Sequence, residues 1–251
     1  MPTIGSGITV GPGVSVTTTP ALQTTNLAVY LDATNSSSYS GSGTTWTDLS
    51  GNGRNYTWLS TPSFTASGTS SYFSTLGNCC RGPASNSFGI DNTSGYTVFL
   101  VMMQNSLVAT SAFKWYSSNG TVAQSRGIFS HCTWSDGNVY FDQGGCCGPD
   151  TRVFSSAFGT STFAVYTFRR ATAGSTRTIF KNGIILNSEA AAAANINLTS
   201  TPMDLASSDE YGGNTSTWDA RLGAFLVYNA GLTDAQVMSV YQSLKPKWGL
   251  Q

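Results

Sequence analysis

Short runs of β-branched and aromatic residues recur along the chain, and turn-forming residues separate them. The clearest pair of runs, 177–180 and 184–186, flanks Asn182 and Gly183. Asn-Gly between two apolar runs supplies the positive φ angles of a type I′ turn, so this segment predicts a β-hairpin. The other predicted strands cover residues 27–31, 96–103, 127–131, 138–142, 163–168 and 221–228. Many short strands joined by polar loops predict an all-β, antiparallel sandwich.

One short helix is predicted near the C-terminus. Thr233 with Gln236 three residues later forms a capping box, which satisfies N–H groups in the first helical turn. Apolar side chains follow at the spacing of one helical face, and they are Val237, Val240, Tyr241 and Leu244. Pro246 ends the pattern, because proline disfavours helical geometry in the residue before it.

The charge of the chain excludes two classes of partner. Only 10% of its 251 residues are charged, where a typical soluble domain carries about 25%. Twelve basic residues balance twelve acidic residues, so no net charge attracts nucleic acid or an anionic membrane. The apolar runs fall short of the roughly 18 residues that a membrane span needs. We therefore expect neither nucleic acid nor membrane as a partner.

Residues 1–25 differ from the rest of the chain. Small and β-branched residues alternate there before the run Thr17, Thr18, Thr19 and Pro20. Such a segment can pair as a strand but buries little surface by itself, so it predicts an extended arm that docks on a neighbouring protein. A frayed terminus is the alternative. The candidate docking side chains are Ile4, Ile8, Val10, Val14 and Val16.

The segments that open and close residues 26–251 resemble a known family. The opening segments are 26–33 and 38–53, and the closing ones are 180–183, 228–237 and 248–250, with Tyr241. They resemble a concanavalin A-like lectin/glucanase domain of the laminin-G type, in the variant found in phage and other virion proteins. The resemblance implies a jelly-roll sandwich of two curved antiparallel sheets. It leaves function open, because this scaffold serves lectins, hydrolases and interaction modules.

Within the opening segments, two local features have a physical interpretation. Residues 49–53, which include Gly51 and Gly53, predict a turn with left-handed backbone. Trp46 is interpreted as a core residue, as large aromatic side chains in sandwiches usually are.

The acidic residues do not match a glycoside hydrolase. Such an enzyme needs two carboxyl groups about 5 to 10 Å apart. Glu189 and Glu210 are the only glutamates, and neither lies in the Glu-x-Asp-x-x-Glu pattern of the family's glucanases. Asp136 and Asp142 would stand about 20 Å apart on an extended strand, and Asp136 fits a turn at 135–137. We therefore expect a protein that is not an enzyme.

His131 is the only histidine, so any Ser-His-Asp or Cys-His arrangement must use it. Cys132 beside it points to the opposite face of any strand, and no Gly-x-Ser-x-Gly elbow is present. We interpret His131 as a structural, hydrogen-bonded residue.

Residues 131–150 are the best candidate for a binding site. Trp134 and Tyr140 offer aromatic planes for stacking, and Asp136, Asn138 and Asp142 offer hydrogen-bonding groups for a glycan. The alternative is a hairpin whose polar side faces water.

Two vicinal cysteine pairs, Cys79-Cys80 and Cys146-Cys147, precede similar Gly-Pro segments. They suggest disulfides between two loops, a zinc site, or free buried thiols. Laminin-G relatives often hold calcium at the rim of the sandwich. The candidate calcium ligands are Asp32, Asp48 and Asp91. No other cofactor is predicted.

The resemblance to virion proteins, the N-terminal arm and the missing signal peptide predict a virion structural protein, as a capsid decoration, head fibre or tail appendage subunit. Its arm would bind other virion proteins, a homotrimer fits such appendages, and the sandwich would adhere to surface glycans. The N-terminus has no basic segment before an apolar run, so we expect no signal peptide and synthesis in the host cytoplasm. The alternatives are a carbohydrate-binding module outside a virion and, third, a glycan hydrolase.

Overall fold

Two antiparallel sheets pack face to face in this computed structural model, which confirms the predicted all-β sandwich. The structure describes residues 3–4, 8–9, 19–91, 93–118, 126–145, 148, 151–156, 161–171, 176–190, 196–207 and 216–250. None of the helices in these ranges is long and apolar enough to cross a membrane.

The strands of the described ranges are, in chain order, β1 (Thr3–Ile4), β2 (Ile8–Thr9), β3 (Leu27–Asp32), β4 (Thr45–Trp46), β5 (Tyr56–Trp58), β6 (Ser63–Thr65), β7 (Tyr72–Ser74), β8 (Cys80–Ala84), β9 (Tyr96–Gln104), β10 (Ser111–Tyr116), β11 (Arg126–His131), β12 (Val139–Gln143), β13 (Arg152–Ser155), β14 (Ala164–Arg170), β15 (Thr176–Lys181), β16 (Ile184–Ala190), β17 (Pro202–Ser207) and β18 (Ala220–Tyr228). The helix α1 covers Asp234–Leu244, and single 3₁₀ turns cover Gly68–Ser70 and Ser85–Phe88.

The two layers are named here sheet I and sheet II. Sheet I has the strand order β16-β15-β14-β9-β18-β7-β6, and β3 also pairs with β18. Sheet II has the order β13-β12-β11-β10-β17-β8-β5-β4. All pairings within both sheets are antiparallel. Asn182 and Gly183 have φ angles of 51° and 77° in the β15–β16 turn, which confirms the predicted hairpin.

Aromatic side chains fill the space between the sheets. Trp46 and Trp58 stack with centroids 6.2 Å apart, and each ring lies 4.7 Å from Phe73. Trp46 is fully buried, as the sequence predicts. Gly51 and Gly53 have φ angles of 87° and 69°, so the opening turn has the predicted left-handed backbone.

A second core covers the outer face of sheet I. The Thr233 hydroxyl accepts a hydrogen bond from the Gln236 N–H, and Gln236 Oε1 accepts one from the Thr233 N–H, which confirms the capping box. The helical side chains that pack there are Val237, Val240, Tyr241 and Leu244. The tail after α1 lies close against β18, where a Cβ at Gly223 would stand 2.5 Å from the Trp248 indole. Sheet I is therefore buried on both faces where α1 and the tail cover it, whereas most of its edge strand β16 is exposed.

The N-terminal segment forms a small hairpin of its own. β1 pairs antiparallel with β2, with Ile4 opposite Ile8. Val10, Val14 and Val16 lie outside the described residues. Nearer the sandwich, Leu22 packs on the second core, and the Gln23 carbonyl accepts a 2.8 Å hydrogen bond from the Tyr228 hydroxyl. The docking role of residues 1–25 stays a prediction.

Candidate functional site

The outer face of sheet II carries an unusual share of the charged side chains. Strand alternation turns Val153, Phe141 and Leu205 into the core and their neighbours outward. The charged and ionisable residues of this face are Arg81, Lys114, Arg126, His131, Asp142, Arg152 and Asp204. All of them except Arg81 and Arg152 are buried. Few residues of the chain are charged, yet seven charged or ionisable residues lie on this one face, and five of them are buried.

Asp142 is the centre of an ionic cluster, named here the Asp142 cluster, with Arg126, His131 and Arg152. Arg152 donates through Nε to Oδ1 at 2.5 Å and through Nη2 to Oδ2 at 2.6 Å. Arg126 Nη1 lies 3.1 Å from Oδ2, and His131 Nε2 lies 3.4 Å from it. Burial raises the pKa of Asp142, but the hydrogen bonds and ion pair with Arg152 outweigh it and hold the pKa below its usual value.

This geometry corrects one expectation about the binding site. The sequence predicts Asp142 as a glycan ligand, but the residue is 0% exposed and both of its oxygens accept hydrogen bonds from arginine. The carboxylate is thus part of the support beneath the surface.

His131 meets a serine and an aspartate, the residue types of a hydrolytic triad. Its Nδ1 lies 3.0 Å from Ser111 Oγ and 2.9 Å from the Thr110 carbonyl oxygen. A carbonyl oxygen only accepts hydrogen bonds, which assigns the proton to Nδ1. Nδ1 therefore cannot take the Ser111 proton, and Nε2 accepts from Arg126 at 3.1 Å. His131 is buried and hydrogen-bonded, as the sequence interpretation has it.

A tight turn carries the exposed part of the site. The Trp134 N–H donates to the Asn138 carbonyl at 2.8 Å, and Gly137 has a φ angle of 83°. Asp136 lies in this turn, as predicted, and its Oδ1 accepts from the Asn138 N–H at 2.9 Å. The Tyr140 hydroxyl donates to Asp136 Oδ2 at 2.5 Å. Slight burial acts to raise the pKa of Asp136, but hydrogen bonds from Tyr140 and Asn138 lower it below its usual value.

Aromatic rings form a row beside this turn. The centroids of Trp134 and His131 lie 4.6 Å apart, those of His131 and Tyr140 6.2 Å, and those of Tyr140 and Phe154 5.8 Å. Phe154 is 51% exposed, and the Arg152 guanidinium lies 4.3 Å from the Tyr140 centroid. The name rim platform is used below for Trp134, Asp136, Asn138, Tyr140 and Phe154. The structure thus brings together four of the five predicted glycan ligands.

The sequence interpretation missed Phe154 and Arg152. The available signal is the alternation in Arg152, Val153 and Phe154, where the apolar Val153 marks the inward side. An aromatic residue on the outward side of such a strand indicates a contact surface.

The predicted calcium ligands do not form one site. The Asp32 carboxylate accepts hydrogen bonds from Tyr30 and Thr34 and pairs with Lys247 at 2.5 Å. Asp48 and Asp91 bind N–H and hydroxyl groups of their own turns, and the Thr93 hydroxyl and backbone hydrogen bonds lower the pKa of Asp91 to about 2. Within the described ranges, no group of three or more His, Cys, Asp and Glu residues fits a metal ion. These residues act as caps and ion partners.

The cysteines that the structure describes are free. Cys79, Cys80 and Cys132 are buried thiols, and burial raises the pKa of Cys79 to about 12. Cys79 and Cys80 therefore form no disulfide in the described part of the chain, and the zinc alternative stays a prediction. Cys146 and Cys147 lie outside the described residues.

Solved structures share this architecture at low sequence identity. A mutant sialidase of Trypanosoma rangeli with trans-sialidase activity matches with a TM-score of 0.63 and 10% identity, over 89% of this chain and 34% of that one. The binding domain of Paraclostridial Mosquitocidal Protein 1 matches with a TM-score of 0.62 and 15% identity, over 86% and 52%. The receptor-binding domain of botulinum neurotoxin C/D mosaic serotype matches with a TM-score of 0.63 and 12% identity, over 86% and 51%.

The chain and these structures share a β-sandwich fold. No family model and no curated protein matches the chain. The chain spans a third to a half of the length of the structures named above. Identities of this size establish a shared fold, and function has to be argued from the site itself.

Proposed function

We propose that this protein is a non-enzymatic binding module that recognises carbohydrate through the rim platform. The observation that carries the proposal is the aromatic row that ends in the half-exposed Phe154, next to the exposed Asp136. An aromatic ring offers an apolar plane to the C–H face of a sugar, and a fixed carboxylate or amide accepts its hydroxyl protons.

The Asp142 cluster gives this platform a rigid support. Arg152 is fixed at both ends, because its guanidinium binds Asp142 and lies over the Tyr140 ring. His131 contacts the rings of both Trp134 and Tyr140. Side chains that are held in place before binding lose less conformational entropy when a ligand arrives.

The acids near the platform favour binding over hydrolysis. Asp142 is enclosed by arginines, and Asp136 is engaged by Tyr140 and Asn138. The hydrogen bond from His131 Nδ1 to the Thr110 carbonyl supports the same choice, because this nitrogen then cannot accept the proton of Ser111.

A glycan array followed by calorimetry tests the proposal. We expect Phe154→Ala and Trp134→Ala each to weaken glycan binding about tenfold, since one buried aromatic contact is worth more than 1 kcal/mol. Ile184→Ala is the matched control, because Ile184 is 61% exposed at the start of β16 and lies outside the platform. Equal affinity of all four proteins for the glycan would overturn the assignment of the site.

As a second candidate, we propose that the module is displayed on a virion as a capsid decoration, head fibre or tail appendage subunit. The supporting observation is the position of the arm. Gln23 contacts Tyr228 at the end of β18, whereas Trp218, just before the start of β18, donates to the Cys132 carbonyl beside the platform turn. The ends of a nine-residue strand stand roughly 26 Å apart.

Leu22 packs on the outer face of sheet I, whereas Tyr140 and Phe154 of the rim platform lie on strands of sheet II. A module attached through its arm would present the platform outward. In this proposal, residues 1–18 bind other virion proteins, and a homotrimer is the expected assembly.

Removal of residues 2–18 tests the role of the arm and keeps the contacts of Leu22 and Gln23. We expect a folded protein that still binds glycan but no longer joins phage particles. Normal incorporation of the truncated protein into particles would refute docking through the arm.

A further inference from the structure

The charges of the rim platform differ in their access to solvent. Asp136 is exposed, whereas the Arg152 side chain is 19% exposed and binds both oxygens of Asp142. Arg126 is 7% exposed and binds the same carboxylate. Arg152 lies over Tyr140 and interacts with Asp136, but its guanidinium is paired with Asp142, so the most exposed charge beside the aromatic row is the negative one of Asp136.

Segments outside the described ranges cannot bring a basic side chain to this surface. All twelve Lys and Arg residues and the single His lie within the described ranges. The ionisable acids outside them are Asp150, Asp209 and Glu210. Those segments can only add negative side-chain charge to any surface they cover.

Basic residues farther away are engaged elsewhere. Lys114 is buried, and Arg81 pairs with Asp204 at 2.9 Å on sheet II. Lys181, on sheet I, lies 5.8 Å from the ring centroid of Tyr166. None of these contacts directs a cation at Asp136.

Asp136 is held in position to accept hydrogen bonds. Each of its oxygens receives a donor from the protein, Oδ1 from the Asn138 N–H and Oδ2 from the Tyr140 hydroxyl. Each oxygen keeps further lone-pair capacity for a hydroxyl of a ligand. The lowered pKa of Asp136 means that it is ionised at neutral pH.

We infer that the rim platform selects uncharged glycans over sialylated ones and that Asp136 determines this specificity. The inference rests on the proposed function. A sugar hydroxyl donates to Asp136, whereas a sialic acid carboxylate has no proton to donate at neutral pH and carries the same charge. Like charges placed against each other discriminate strongly between ligands.

The experiment uses an array of matched oligosaccharides, each printed with and without a terminal sialic acid, and the full chain at low salt. We expect at least tenfold tighter binding of the uncharged member of each bound pair. Asp136→Asn should narrow this ratio, because the amide has no charge and can donate a hydrogen bond. Asp234→Asn is the control of equal net charge, since Asp234 lies on α1 over the opposite sheet and its side chain is 64% exposed.

The outcomes separate the two proposals. Equal or tighter binding of the sialylated members would overturn the inference and leave carbohydrate binding intact. A ratio that changes equally in Asp136→Asn and Asp234→Asn would reject the role of Asp136. If no oligosaccharide binds while a known lectin does on the same array, the proposed function fails and the inference fails with it.

Discussion

Many side chains on the outer faces of the two sheets are buried, but their chemistry is opposite. Sheet I presents apolar side chains such as Val101 and Leu226 to α1 and the C-terminal tail. Sheet II presents Asp142 and its basic partners, and Phe129 lies among them, 5.4 Å from the Arg126 guanidinium. Apolar burial stabilises the fold directly, whereas burying ions costs desolvation that their pairing only offsets. The comparison indicates that sheet I supplies stability and sheet II supplies fixed positions for polar groups.

Removing the charge of Asp142 should have the largest effect. Asp142→Asn leaves Arg126 and Arg152 without their shared carboxylate, and losing one partner of a buried ion pair costs about 4 kcal/mol. Urea unfolding measures this loss, and glycan binding should weaken as well because Arg152 no longer supports Tyr140. Asp234→Asn, which breaks an exposed pair with Arg169, should cost less than about 1 kcal/mol.

A cavity in the second core should have the next largest effect. Leu226→Ala removes a fully buried side chain beneath α1, and we expect a loss of about 3 kcal/mol in the free energy of unfolding. Glycan affinity at a temperature where the variant is folded should stay unchanged. A loss of affinity would mean that packing on the outer face of sheet I affects the rim platform on sheet II.

Lowering the pH should reduce the free energy of unfolding through Asp142 on sheet II, by less than the two substitutions above. The folded-state pKa of Asp142 is below its usual value, so its contribution is present above about pH 4 and disappears as the pH falls through the folded-state pKa. Thermal unfolding between pH 5 and pH 3 should show a steeper loss of stability for the wild type than for Asp142→Asn. Parallel curves would contradict a depressed pKa at this residue.

Loss of the helix cap should have the smallest effect. Thr233→Ala removes the hydroxyl that accepts the Gln236 N–H, which costs about 1 kcal/mol in comparable caps. Chemical denaturation measures it, with Thr45→Ala at an exposed position of β4 as the control. An unchanged free energy of unfolding would show that packing alone determines where α1 begins.

Local signals predicted the long strands of sheet I and the helix, but only β11 and β12 of the eight strands of sheet II. The Asn182-Gly183 turn and the Thr233 capping box are patterns of adjacent residues, and the structure has both. β10 and β17 were missed. β10 contains Lys114 between two aromatic residues, and β17 begins with Pro202, so neither has the composition of a buried strand. Their pairing with each other stabilises them, and it joins segments that lie far apart in the chain.

The candidate binding site also combines features that the local sequence predicts with features that depend on strand pairing. Alternation along β12 correctly places Tyr140 and Asp142 on one face, because side chains two residues apart share a side of a strand. Alternation cannot give the depth of a side chain, since depth depends on what the neighbouring strands contribute. Arg126 comes from β11 and Arg152 from β13, and together they enclose Asp142.

The sequence by itself determined the long strands of sheet I, β11 and β12 of sheet II, the hairpin turn, the capped helix and the aromatic and polar content of the 134–140 segment. These follow from backbone preferences and from residues close together in the chain. Only the tertiary structure decided that Asp142 is buried beneath the rim platform, that Phe154 lies beside Tyr140, and that Leu22 and Gln23 pack against the opposite layer. These depend on strand order and register, which bring together residues that local preferences cannot relate.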